Sequence, residues 1–241
     1  MISKILIALL LCMTTLGFVS TYAILLFGLP DAVRLQNAKR TLARFHKELP
    51  LIAINLLMLI GGAGLTFPLI EHKFTLEMPA LYVIPLDLLF IVLLDDAFFY
   101  AFHRTLHENR YLYRTIHRIH HQAYAPLPLE YIYVHPLEWM LGAIGPVVAI
   151  AALVWFHGQM SAYSFLIYVF LRQAHELNLH SGVRSVLSRY VPILGKTDTH
   201  DYHHKNPTKG NYASMLAIWD RVLGTASPVT GANEASPLSP L

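Results

Sequence analysis

Residues 88–121, LLFIVLLDDAFFYAFHRTLHENRYLYRTIHRIHH, pass without a break from an apolar run into a run of histidines. The apolar part carries Asp95 and Asp96; the polar part carries His103 and His107, then His117, His120 and His121. On a helix, positions i, i+3 and i+4 share one face, so each group can aim its imidazoles at a single point. A long apolar helix that ends in clustered nitrogen ligands predicts a membrane helix capped by a metal site. Asp96, Tyr100, His103 and His107 fall on one stripe of that helix.

The rest of the chain agrees with a membrane setting. Of 241 residues, 55% are hydrophobic and only 14% charged, and the mean hydropathy is +0.45. That balance excludes an ordinary soluble domain. Apolar runs cover about 5–28, 49–70, 78–102, 137–156 and 160–177, and a bilayer needs roughly 20 such residues. His157, Gly158 and Gln159 separate the last two runs and read as a hairpin turn. The first run is longer than a signal-peptide core and no clean cleavage site follows it, so it reads as an uncleaved helix. Arg34, Lys39, Arg40, Arg44 and Lys47 fill the first loop, and Arg104, Arg110, Arg114 and Arg118 follow the third run. Positive loops stay cytosolic, which predicts the N-terminus outside and the histidines on the cytosolic side. The expected fold is an all-α integral membrane protein of about four to five transmembrane helices with a cytosolic histidine-rich helical cap. Its parts are N-terminal spans over 1–102, a catalytic region over 103–225 enclosing the 137–177 hairpin, and a disordered Pro- and Ser-rich tail over 226–241.

The chain has 14 histidines against 15 acidic residues and a single cysteine, Cys12. Metal chemistry here must therefore use imidazole. His175 and His180 follow the last span, and His200, His203 and His204 repeat the HxxHH spacing. Ten converging histidines exceed the four that one zinc ion takes and suit two six-coordinate ions. Imidazole alone does not choose among zinc, copper, iron and nickel. Iron is favoured because an open site beside a lipid suits oxygen activation. His46, His72 and His157 are taken as structural. Asp96 is a candidate partner for an imidazole N–H, as metal-bound histidines commonly have one. Glu138, Asp201 and Asp220 are further candidates, and His135 is either near the metals or structural. Neither HExxH, a phosphate-binding glycine loop nor GxSxG is present, and nothing points to nucleic acid. A metal transporter would place its ligands near the bilayer midplane, and a membrane cytochrome would grip haem with isolated histidines on facing spans.

His103-Arg-Thr-Leu-His107, His117-Arg-Ile-His-His121 and His200-Asp-Tyr-His-His204 together resemble the HxxxH, HxxHH and (H/Q)xxHH pattern of the fatty acid hydroxylase/sterol desaturase superfamily. The resemblance covers about 95–225. Ala125-Pro126, His135-Pro-Leu-Glu138, His180-Ser-Gly182, Gly210-Asn-Tyr-Ala-Ser214 and Trp219-Asp220 are similar to its C-4 methylsterol oxidase branch. The resemblance implies two iron ions (zinc able to substitute on purification) and a lipid substrate drawn from the bilayer. It also implies O2 with electrons from a ferredoxin or cytochrome b5-like donor. The expected reaction is oxidation of a sterol-like or other isoprenoid lipid, the rival being hydroxylation or desaturation of an acyl chain. The short chain and its C-terminal Leu-Ser-Pro-Leu favour a bacterial inner membrane over the endoplasmic reticulum; oligomeric state is not legible.

Overall fold

The computed structural model describes residues 1–36, 38, 40–184 and 190–229. Helix α1 (Ile2–Phe27) and helix α2 (Leu42–Ile70) form one antiparallel pair, and α3 (Val83–Glu108) packs against α6 (Ile144–His157) and α7 (Ala162–Leu179). Short helices α4 (Arg110–Thr115), α5 (Pro136–Gly142), α8 (Thr197–Lys205) and α9 (Ile218–Val222) lie between or after them. The only sheet among the described residues pairs β1 (Phe74–Thr75) with β2 (Met160–Ser161) in parallel.

The protein is predominantly helical, and three stretches are long and apolar enough to cross a membrane: Ile2–Phe27, Leu42–Lys73 and Pro136–His157. Much of each faces outward, through side chains such as Leu16, Val19, Leu57, Leu65, Leu69, Val147 and Trp155. That is what a lipid-facing surface requires. The expected third and fifth runs form α3 and α7, whose inner faces carry Asp95, Asp96, Tyr168 and Arg172. The expected fourth run is broken at Ala143 into α5 and α6. The predicted hairpin turn is present, with Gly158 at φ 77° ending α6. Of the expected tail, residues 230–241 lie outside the described residues.

Two apolar clusters stack along the bundle. Ile2, Leu6, Leu10, Ile91, Leu153 and Phe165 form one. Met13, Phe45, Ile52, Leu129, Ile132 and Leu177 form the other, beside the histidines. Asn55 is fully buried in α2, and its amide donates to the carbonyls of Ile132 and Val134, both at 2.9 Å. This pins the segment after the first HxxHH to a spanning helix. Gly145 allows α6 to approach α3, because a Cβ there would stand 2.6 Å from Asp95 Oδ1.

Candidate metal centre

The histidines are carried by four pieces of chain. His103 and His107 end α3. His117, His120 and His121 lie on a 3-10 turn, His117–Gln122, rather than the expected α-helix. His180 caps α7, and His200, His203 and His204 lie on α8. All nine except His107 are buried.

They form two groups, each with its ligand atoms within 4.8 Å of one another. The first holds His103, His107, His117, His121 and His203; the second holds His120, His180, His200 and His204. Each HxxHH motif is therefore divided, where the sequence suggested a single focus. The i and i+4 histidines of the first motif join one group and its i+3 histidine joins the other, while the second motif does the reverse. On α8 the cause is geometric: i+3 and i+4 lie on opposite sides of the i direction, so His203 turns away from the focus of His200 and His204.

Contacts within the first group are made by Nε2 atoms. His103 meets His117 at 3.1 Å, His107 meets His103 at 3.2 Å, and His117 meets His107 at 2.8 Å. In the second group His200 Nε2 stands 3.1 Å from both His180 Nε2 and His204 Nε2. Nitrogens held about 2.1 Å from one ion at right angles stand about 3.0 Å apart, against about 3.4 Å in a tetrahedron. The spacing suits six-coordinate ions.

Tautomers strengthen the case. His103 Nδ1 donates to the Tyr212 carbonyl at 2.7 Å, and His117 Nδ1 donates to Glu138 Oε1 at 2.7 Å. With Glu138 ionised, both protons lie on Nδ1, which leaves two bare Nε2 lone pairs facing each other at 3.1 Å. Burial pushes the His117, His121, His200, His203 and His204 imidazoles well below their usual range, and neighbouring imidazoles add to the shift. Burial likewise takes His120 down to about 4 and His180 to about 3. The rings are neutral near pH 7, so facing lone pairs need a cation between them. His203 Nε2 is buried with no hydrogen-bond partner, as a ligand awaiting a metal would be. The residues present fit metal ions.

The other anticipated site residues take definite places. Glu138 sits on His117, as a carboxylate that fixes an imidazole would. Asp96 is corrected: its carboxylate accepts from the Met215 and Leu216 backbone N–H groups, each at 2.8 Å, and bonds to no imidazole. It acts through a strap, 210–216, that Asp220 also grips at the Tyr212 and Ala213 N–H groups. That strap presents the Tyr212 carbonyl to His103 and the Gly210 carbonyl to His203 Nδ1 at 2.8 Å. Tyr100 bonds Thr225 Oγ1 at 2.8 Å, and His135 caps α5 by accepting from Leu137 N–H at 3.1 Å. Neither belongs to a histidine group. His175 also lies outside both groups, with its Nε2 buried and unpartnered. Asp201 pairs with Lys205 at 3.1 Å.

A cavity of about 500 Å3 opens beside the histidines, walled by Leu6, Leu10, Met58, Phe99, Phe102 and Phe165 and reaching His117, His120 and His180. Sequence reasoning missed one feature of it, the Asp95–Arg172 ion pair at 2.8 Å between α3 and α7. Asp95 lies off the stripe that carries Asp96, Tyr100, His103 and His107. Opposite charges on two apolar spans were the available signal.

Fold and site together define a helical membrane protein with a histidine metal cage at one end of its bundle. Residues 88–225 match the model of the fatty acid hydroxylase family, and the chain belongs to that family. It is 35% identical over 194 residues to a methylsterol monooxygenase of Aspergillus fumigatus, covering 77% of this chain and 59% of that one. With methylsterol monooxygenase 1 of Gallus gallus it shares 33% identity, over 63% of this chain and 49% of the relative. A very-long-chain aldehyde decarbonylase of Oryza sativa subsp. indica is 30% identical over 83% of this chain and 76% of its own length. The chain thus spans about half to six-tenths of the methylsterol monooxygenases it matches. No solved structure matches it.

Proposed function

We propose that this chain is a membrane di-iron oxygenase that oxidises a C–H bond of a sterol-like or other isoprenoid lipid. The observation that carries the reading is the pair of bare lone pairs on His103 and His117, 3.1 Å apart in a buried cage beside an apolar cavity. His103, His107, His117, His121 and His203 would hold one ion, and His120, His180, His200 and His204 the other. Bound iron supplies the oxidising power, with O2 and two external electrons, that a strong lipid C–H bond demands.

The chain's own residues do the rest. Glu138, Tyr212 and Gly210 fix imidazole tautomers. The Phe99 and Phe102 side chains give the cavity wall beside His103 an apolar surface that disfavours water. A lipid enters from the bilayer without being solvated, because the cavity wall includes residues of both spanning helices α1 and α2. Five spans with the histidines cytosolic complete the reading, supported by the lysine and arginine distribution. Electrons then come from a soluble donor of the ferredoxin or cytochrome b5 type. The methylsterol relatives favour a sterol-like substrate; the aldehyde decarbonylase keeps acyl substrates as the second reading.

Lipid mass spectrometry on a host grown under 18O2 tests this, comparing the wild type with His120→Ala/His121→Ala, which removes one ligand from each group. A lipid carrying label only with the wild type is the expected result. A product two hydrogens lighter and unlabelled makes the chain a desaturase. Identical lipid profiles, with the donor and candidate lipids supplied, overturn the reading.

A further inference from the structure

Resting on that placement of a lipid in the cavity, we infer that Arg172 and Gln173 form a hydrogen-bond donor site for a neutral oxygen, hydroxyl or carbonyl, on the substrate.

Both residues line the cavity from α7. The Arg172 side chain keeps 21% of its surface open, and its partner Asp95 keeps 3%. Arg172 Nε donates to Asp95 Oδ2 at 2.8 Å, and the Tyr168 hydroxyl donates to the same oxygen at 2.6 Å. Those bonds, together with a side-chain hydrogen bond between Arg172 and Tyr168, fix the guanidinium on the cavity wall. Gln173 is fixed in the same manner from another element. The Tyr131 hydroxyl donates to Gln173 Oε1 at 2.6 Å, which turns the amide N–H groups away from that contact. The free atoms of both side chains are therefore all donors.

The setting makes this patch a recognition element. A charged side chain inside an apolar span is costly and marks a ligand path or a paired site. Arg172 is paired with Asp95 through Nε, and a guanidinium has five N–H donors, so any donor facing a hydrocarbon-lined space carries a desolvation cost until an oxygen meets it. Asp95 already balances the charge, so a neutral oxygen fits better than a phosphate or a second carboxylate. Position sets which part of the lipid is read. Tyr131 has its ring 6.3 Å from the His180 ring and its hydroxyl on Gln173, so the donor patch is about one tyrosine from the histidine end. The remaining wall, through Leu6, Leu10, Met58 and Leu59, is hydrocarbon. The substrate is thus a lipid with one oxygen near the carbon presented to the histidines and an apolar body behind it.

The test measures binding rather than turnover. Cholestanol, cholestanone and the hydrocarbon cholestane, with octadecanal and octadecane as acyl counterparts, are titrated into the full metal-loaded chain in nanodiscs without an electron donor. The expected result is a preference of about 10–100-fold for the oxygen-bearing member of a set over its hydrocarbon. The set with the larger ratio names the source, sterol or acyl. Gln173→Met is expected to cut that ratio about tenfold, and Arg172→Met combined with Asp95→Asn to remove the remainder. A wild-type ratio near one, with water alone satisfying the donors, overturns the inference. Folded variants that keep the wild-type ratio also overturn it, since a merely structural pair would change stability and leave discrimination intact. If the variants do not fold, the wild-type ratio decides alone. Discrimination without any labelled lipid under 18O2 would leave this site standing and remove the oxygenase reading; label without discrimination would do the reverse.

Discussion

The two histidine groups are built from the same motifs but are supported unequally. In the five-histidine group, the Nδ1 atoms of His103, His117 and His203 bond to Tyr212 O, Glu138 and Gly210 O at 2.7, 2.7 and 2.8 Å. His121 Nδ1 makes a longer contact to His204 O at 3.4 Å. In the four-histidine group His180 Nδ1 is held by Glu176 O at 3.0 Å, and His120 lies against the Tyr133 backbone. The Nδ1 atoms of His200 and His204 are buried without a partner, as is that of His107 in the five-histidine group. Partners on the far nitrogen fix ring orientation and raise ligand basicity. The difference teaches that one focus is largely preorganised by the 210–216 strap and Glu138, whereas the other would depend more on a bound metal to order it.

Removing both metals exposes the cost of that design, and gives the largest effect. The folded-state values of these histidines lie below the unfolded value of about 6.5. Their stabilising contribution is therefore fully present above about pH 6.5 and is lost as pH falls through the folded values, near 4 for His120 and near 3 for His180. His120 alone accounts for about 3 kcal/mol across that window. Thermal unfolding of metal-free protein from pH 7.5 to 4.5 should show a steep loss that metal-loaded protein resists. Equal acid sensitivity with and without metal would separate these histidines from metal binding.

The comparison sharpens under a chelator. Release should occur in two steps, the four-histidine group first, with affinities about 10–100-fold apart. Glu138→Ala should narrow the gap by weakening only the other group. A single release step in the wild type would mean that the Nδ1 partners do not matter.

A smaller effect is expected at the strap. Gly210 has φ 83°, and a Cβ there would stand 2.1 Å from Thr225 O. Gly210→Ala should destabilise the fold by about 1–3 kcal/mol and loosen the five-histidine group through His203. Denaturant unfolding and the later-released metal read the two consequences separately. The smallest effect belongs to His175, which lies outside both groups. His175→Ala should leave the metal content per chain as it was, and elemental analysis showing a halved content would place it among the ligands.

Sequence pattern carried the helical membrane fold and the gathering of His103, His107, His117, His120, His121, His180, His200, His203 and His204, because periodicity and spacing are local. It did not carry how the motifs divide. That depends on two turns, His117–Gln122 and Thr197–Lys205, meeting in space across 80 residues of chain. Asp96 shows the same limit. Its stripe was legible, but its partners, Met215 N–H and Leu216 N–H, lie in a strap whose path no local pattern announces. The Asp95–Arg172 pair was legible only as two separate charges on two spans.

Metal stoichiometry tests the central claim most directly. Full chain purified from iron-supplied cells is analysed for bound metal, beside His203→Ala and His204→Ala, each of which removes a ligand from a different group. The account predicts about two iron ions per wild-type chain and about one in each variant, retained in different groups. One ion per wild-type chain, or loss of both ions from either single variant, would contradict a cage made of two separable sites.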